Sequence, residues 1–492
     1  MTATTIQAGR LLARPGGEPA RRGVEITVAD GRIVDIRNAT PSGRADRLLA
    51  MPAMVNAHDH GYGLRPLAFG AADDALEPWI SGLRGRPPTD PYLEAAVAFA
   101  RMARGGIATT VHCHNSLNAD RLVNEAADVA RAAGDVGIRV AFSCPIVDRN
   151  AFVYGGPDAV RDDHDPADWS TIADWIPAYA PAEEQLARVE AVAAAHASTT
   201  FNVQYGPVGP QWCEDRTLAR IAEASARTGR RVHMHLLETR RQREWTDHVY
   251  PGGIVRHLDA IGLLSPRLTV AHGVWLDEAE CALLAERGVT VAINTGSNLR
   301  LRSGLAPVAT FLGAGTPFAF GLDGMALDDD QDALRDLRLA YLLHGGTGLD
   351  RALTPAALFD GALRAGYRAF DGDGGQGRVA PGANADLLLL DYGGMAADVV
   401  GDAADEVDVL LTRMTAGHID ALYVAGRPIV EDGTVTTVDL PALEDDLHAR
   451  ARTAEDGLRR QLPLLRRHKA AIGDYYRRRR HVAGPEASGG GR

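Results

Sequence analysis

Apolar residues recur along the chain in two rhythms. Over residues 1–52 they alternate. Gly23-Val24-Glu25-Ile26-Thr27-Val28 and Arg32-Ile33-Val34-Asp35-Ile36 flank Asp30-Gly31, and alternation about an Asp-Gly turn predicts a β-hairpin. A lone hairpin cannot bury its apolar face. Matching strands appear near the other end, at 385–391, 419–425 and 427–431, broken by Gly and Pro. The pattern predicts one small β-sandwich domain built from both termini, with its halves at 1–52 and 376–438. Between them, apolar and β-branched runs at 53–57, 107–114, 138–146, 200–206, 231–237, 268–274, 290–295 and 318–322 are separated by segments of helical spacing such as 92–103 and 183–195. Eight strands, each followed by a helix, is the count of a (β/α)8 TIM barrel, placed here at 53–375. A doubly wound open sheet shares that alternation. Most of the runs end in His, Asp, Asn or Gln, as strand tips converging on one site require, which favours the barrel. A helical extension follows over 439–482, then a Gly/Ser-rich tail at 483–492 that reads as disordered.

The polar tips carry the candidate chemistry. The first run closes on Asn56-Ala57-His58-Asp59-His60. Side chains on an extended strand alternate faces, so His58 and His60 point the same way and can grip one metal ion. The fifth run ends His233-Met234-His235-Leu236-Leu237-Glu238, the sixth Ala271-His272-Gly273 and the eighth Gly321-Leu322-Asp323-Gly324. Singly, each end has an ordinary reading as a buried imidazole bonded to backbone or an Asp capping a helix. Together, on one barrel, they predict a metal site.

Composition narrows the function classes. A chain of 492 residues accommodates a barrel with an accessory module. Cys113, Cys144, Cys213 and Cys281 form no C-x-x-C pair, so neither a thiolate zinc site nor a disulfide framework is expected, and a reducing cytoplasm fits. There is no basic-then-apolar leader and no apolar run of the ~18 to 20 residues that a membrane span needs. The expectation is a soluble cytoplasmic protein. A formal charge of −12 argues against nucleic-acid binding. The basic stretch Tyr475-Tyr476-Arg477-Arg478-Arg479-Arg480-His481 reads as a solvated helix or a dimer contact.

These motifs resemble the amidohydrolase superfamily, in the branch that holds cytosine and guanine deaminases, thiomethyl- and homocysteine-type adenosine deaminases and triazine hydrolases. Met51-Pro52-Ala53-Met54-Val55-Asn56-Ala57-His58-Asp59-His60 is similar to the family's opening, with Ala53 where Gly is usual and Asp59 where Thr or Ser is common. His235-Leu236-Leu237-Glu238-Thr239 matches its His-x-x-Glu. Asn294-Thr295-Gly296-Ser297-Asn298-Leu299-Arg300-Leu301 is similar to its seventh-strand segment with an extra Gly296, and 381–391 to its Pro-Gly-x-x-Ala-Asp return. The resemblance implies His58, His60, His235 and Asp323 as metal ligands, with Glu238, His272 and Asp323 as the catalytic groups.

Neutral imidazoles plus one carboxylate suit one Zn2+ or Fe2+ with a position left for water, whose pKa the metal lowers. Asp323 then takes a proton, Glu238 protonates ring nitrogen and leaving amine, and His272 steadies the developing oxyanion. The implied reaction is deamination of an aminated purine, pyrimidine, triazine or related ring. The alternatives are a ring amide or imine hydrolase, an enzyme expelling another leaving group, and a scaffold without chemistry. The only lysine is Lys469, so no barrel lysine can form the carbamate bridge of two-metal relatives, and one metal per chain is expected. Trp79, His112, His114, Gln204, Asn298 and Arg300 are candidate substrate contacts, Arg300 and Arg302 reading equally as solvated arginines. The long loop at 148–180 reads as a lid or a subunit contact, and the resemblance implies a homodimer or homotetramer.

Overall fold

The computed structural model describes residues 3–116, 119–372 and 376–483. The tail expected at 483–492 therefore lies, from residue 484 onward, outside the described residues. Eight parallel strands pair in chain order: Met54–Asp59, Ile107–Cys113, Arg139–Ile146, Phe201–Pro207, Val232–Leu236, Leu268–His272, Thr290–Ile293 and Phe318–Phe320. Hydrogen bonds from the residues just after the eighth strand join it to the first. The Asp323 N–H donates to the His58 carbonyl at 2.9 Å, and the Leu322 N–H donates to Asn56 Oδ1 at 2.9 Å. One end of the barrel is filled from within. Small inward residues, among them Ala57, Ala141, Ala292 and Ala319, pack with Tyr367 and Phe370 of the helix Gly366–Phe370. Polar tips are left at the other end.

The helices form where the sequence supplies caps and an apolar stripe. In Pro91–Arg104, Asp90 accepts the Tyr92 and Leu93 N–H groups, Pro91 opens the first turn, and the Leu93–Ala103 face is buried.

The second sheet has the order Thr434–Val435, Arg427–Glu431, Ile419–Val424, Leu387–Asp391, Leu48–Pro52, Thr4–Leu11, Arg21–Ala29, Arg32–Asn38. Both termini supply it. It is antiparallel except where Leu48–Pro52 runs parallel to Thr4–Leu11, pairing Arg10 with Leu49. An isolated bridge between Arg32 and Asn384 ties its far edge back to the segment before Leu387. Ile6, Val24, Ile26, Ile33, Leu387 and Leu389 share a core separate from that of the barrel.

The apolar run starting at Leu48 divides at Ala53. Leu48–Pro52 lies in the sheet and Met54–Asp59 begins the barrel. Asp386 fastens this junction. Its carbonyl accepts the Ala53 N–H at 3.1 Å, and its buried carboxylate takes two bonds from Arg139, at 2.8 and 3.2 Å, and one from the Tyr367 hydroxyl at 2.6 Å.

The helices Leu440–Thr453 and Glu455–Arg477 close the chain. The second packs on the helix Leu76–Gly82. The basic stretch, expected as a solvated helix or a dimer contact, is partly committed within the chain: Arg480 pairs with Asp163, and Arg479 with Glu244 at 3.3 Å. Among the described residues, no helix is long and apolar enough to cross a membrane.

Candidate metal centre and cavity

His58, His60, His235, His272 and Asp323 meet at the strand tips. His58 and Asp323 group with His272, and His58 and His60 with His235, each within 4.8 Å of one another. The partners of the rings decide what the inward nitrogens are. The His60 Nδ1–H donates to the Cys113 carbonyl at 3.1 Å, and the His235 Nδ1–H to the Val208 carbonyl at 2.7 Å. His58 Nδ1 lies 2.8 Å from His233 Nε2, close enough to donate to it. All three Nε2 atoms then carry lone pairs.

These lone pairs crowd together. His58 Nε2 and His60 Nε2 lie 3.0 and 3.3 Å from Asp323 Oδ1, and His60 Nε2 lies 3.3 Å from His235 Nε2. Buried His58 Nε2 and Asp323 Oδ1 have no hydrogen-bond partner. Acceptors this close are the arrangement expected around a cation, since ligands about 2.0 to 2.1 Å from a tetrahedral ion stand roughly 3.3 Å apart. The donor set fits a divalent metal.

The surroundings hold this set in place. Leu237, His272 and Asp323 all adopt positive φ (48°, 73° and 60°), a strained conformation for side-chain-bearing residues that turns each strand end sharply. Ser297 donates to Asp323 Oδ2 at 2.5 Å. Its neighbour Gly296 has no room for a side chain, because a Cβ would stand 2.5 Å from Asp336 Oδ2. Asp59 accepts the Gly61 and Gly324 N–H groups and the Asn56 amide, tying the first tip to the eighth.

Burial pulls the His58 imidazole down to about 4 and lowers His235 and His272. Burial pushes Asp323 the other way, but the His58, His272 and His60 rings outweigh it and hold the carboxyl well below its ordinary range. Glu238 is raised well above its usual value, by burial first and then by Asp323 and Glu77. It stands with Oε2 3.7 Å from His272 Nε2 and accepts from the Ser303 hydroxyl at 3.3 Å. His272 Nδ1 lies 2.9 Å from Asn298 Oδ1 and 3.2 Å from the Asn294 amide nitrogen.

A cavity of about 280 Å3 opens over this cluster. His60, His235, Glu238, His272 and Asp323 form its floor, and the rings of Tyr62, Trp79, Tyr179 and Trp212 stand among apolar walls. No lysine or arginine lines it among the described residues.

A model of the family described as Amidohydrolase family matches residues 49–427. The chain belongs to the amidohydrolase family. One relative, the 5-methylthioadenosine/S-adenosylhomocysteine deaminase of Nitratidesulfovibrio vulgaris, is 30% identical over 426 residues, spanning 85% of this chain and 86% of that one. The crystal structure of an adenosine deaminase from Xanthomonas campestris with bound zinc is similar at a TM-score of 0.75 and 24% identity, over 92% of this chain and 98% of the other. The zinc complex of an atrazine chlorohydrolase from Arthrobacter aurescens reaches a TM-score of 0.74 at 22% identity, over 91% and 99%. These structural likenesses show the fold.

In this amidohydrolase the other expected substrate contacts scatter. Trp79 lines the cavity. His112 and His114 do not; they border a separate cavity of about 170 Å3 on the other side of His60, where His114 lies 2.9 Å from Glu125. Gln204 spends its amide on the Ala369 and Phe370 carbonyls, at 3.0 and 2.9 Å. Asn298 touches His272 rather than the cavity, and Arg300 is committed to Asp73 and Asp329. The loop at 148–180 lends Asn150, Ala151, Pro177 and Tyr179 to the walls, while its middle packs on the C-terminal helix. His233 carried no assigned role in the sequence, although its spacing of two from His235 puts it on the same strand face. Ser297 lay inside the recognised seventh-strand segment without an assigned role, and Trp212 left no sequence signal.

Proposed function

We propose that the chain is a metal-dependent aminohydrolase that replaces the amine of a flat aminated N-heterocycle by oxygen and releases ammonia. His58, His60, His235 and Asp323 would hold the ion, with Zn2+ the first choice for three imidazoles and one carboxylate. Bound there, the metal supplies Lewis acidity and lowers the pKa of water. The residues divide the remaining work. Asp323 Oδ1 is placed to take a proton from the attacking water, Glu238 holds a proton for the ring nitrogen, and the proton taken by Asp323 can then pass to the departing amine. His272, its Nδ1 accepting from the Asn294 amide, would donate its Nε2–H to the oxygen that gains charge. Tyr62, Trp79, Tyr179 and Trp212 offer faces and edges to an aromatic ring. The absence of a lining cation favours an uncharged substrate.

The placement of Glu238 carries this reading: its carboxyl forms part of the cavity floor, with Oε2 3.7 Å from His272 Nε2, where an acid can meet the poor nitrogen leaving group. The fold shared with a chlorohydrolase keeps expulsion of a different leaving group as the second reading. Ammonia release from a panel of aminated purines, pyrimidines and triazines, using protein loaded with one equivalent of Zn2+ or Fe2+, separates the two. Glu238→Gln is expected to lose about 100- to 10,000-fold in kcat. Turnover without ammonia would favour the second reading.

A further inference from the structure

The chemistry assigned to Glu238 leaves a buried network beside it unused. Glu77, two residues before Trp79, is buried and does not line the cavity. Its Oε1 accepts from the Thr239 hydroxyl and, at 3.3 Å, from the Tyr154 hydroxyl. Thr239 directly follows Glu238 and caps the helix Arg240–Val249, its hydroxyl accepting the Gln242 N–H at 3.2 Å. Gln242 Oε1 accepts the Glu238 N–H at 2.8 Å. The reactive carboxyl thus sits on a short segment pinned to Glu77.

Glu77 is steadied in turn by Tyr154, and Tyr154 by the C-terminal helix. The Tyr154 N–H donates to the Tyr476 hydroxyl at 3.0 Å, and its carbonyl accepts from the Tyr475 hydroxyl at 2.8 Å. Glu77, Tyr154, Thr239, Tyr475 and Tyr476 are all buried. The helix bearing the two tyrosines is itself fixed to two barrel loops, by Lys469 on Asp74 at 2.8 Å and Arg467 on Asp168 at 2.6 Å. Just beyond it, His481 lies 2.9 Å from Glu244. A helix that only shielded the cavity would need apolar contact. Here two consecutive hydroxyls grip the backbone of one residue, whose side chain reaches onward to Glu77.

We propose that Tyr475 and Tyr476 are positioning residues for the reaction: through Tyr154 and Glu77, the C-terminal helix sets where Thr239, and with it the Glu238 carboxyl, stands. This rests on the reading of Glu238 as proton carrier. Displacing a reacting group by about 1 Å can cost on the order of 100-fold in rate, so a remote pair of hydroxyls can act on kcat without touching substrate.

The test uses Tyr154→Phe and the double variant Tyr475→Phe with Tyr476→Phe, which delete hydroxyls and keep the rings. Each is expected to lower kcat about tenfold, with KM changed by no more than about twofold, the signature of a misplaced reacting group. Combining all three should cost little beyond either alone. Arg459→Ala, which removes an exposed ion pair internal to the same helix, serves as control and should leave kcat in place. Hydrogen exchange of the amides at 238–242 gives a readout independent of turnover and should quicken in the tyrosine variants but not in the control. Unchanged kcat and unchanged exchange at 238–242 would overturn the proposal even if Tm falls. If the wild-type protein releases no ammonia from any ring, the reading of Glu238 fails, while the exchange result still decides whether the helix holds that segment.

Discussion

A carboxyl buried beside two others keeps its proton at a cost to the fold, and Glu238 is such a group. Its folded pKa is raised. Below the unfolded pKa both states are protonated and nothing is lost. As pH rises toward the folded value, the unfolded chain releases the proton first and stability falls. In metal-free protein, Glu238→Gln should therefore melt higher than wild type, by a margin small at pH 4 and growing toward pH 8. A margin independent of pH would place the carboxyl in water. That His58, His60, His235, Glu238, His272 and Asp323 would be brought together was legible in the sequence, since His, Glu and Asp at strand ends announce themselves by type and spacing. Those that only orient them were not. Ser297 and Asn298 reach Asp323 and His272 across 26 residues in each case, a closeness that only the closed barrel creates. Arg300 misled for the same reason, because Asp73 and Asp329, which claim it, are distant in sequence.

At the scale of elements, one pair joins the two sheets. Arg139 on the third barrel strand and Asp386 before Leu387–Asp391 are both nearly excluded from water. Asp386→Ala leaves a buried guanidinium without its partner, and such losses cost about 3 to 5 kcal/mol. Urea denaturation should show this deficit, and a change near zero would mean that water reaches Arg139. The barrel strands were legible because their apolar runs sit between helical spacings. Thr4–Leu11 was harder to see as a separate strand. It carries Ala8 and Gly9 in its middle, and a Cβ on Gly9 would stand 1.9 Å from the Asp46 carbonyl oxygen, so the fold demands a poor strand former there.

For the molecule as a whole, the crowded lone pairs at the strand tips predict that metal and stability travel together. Chelation should abolish activity and lower Tm, and one equivalent of Zn2+ should restore both. Free metal at a thousand times its Kd adds about 4 kcal/mol when only the folded state binds it. A requirement for two tightly held equivalents would contradict the single centre. The role of the C-terminal helix was not legible in its sequence. Arginine and tyrosine suit a solvated face as well as a docked one, and only Asp74, Tyr154 and Asp168, brought to the barrel mouth by separate loops, choose between them.

The junction at Ala53 also bears on the order in which the protein can mature. Leu48–Pro52 has its neighbour Leu387–Asp391 more than three hundred residues later, and His58 and His60 hang from the strand that continues it. During synthesis this segment must wait, one edge unpaired, until the ribosome has delivered almost the whole barrel. By then His235, His272 and Asp323 have already emerged. A nascent chain therefore finishes the sheet that anchors its first two histidines only after every other predicted ligand is present.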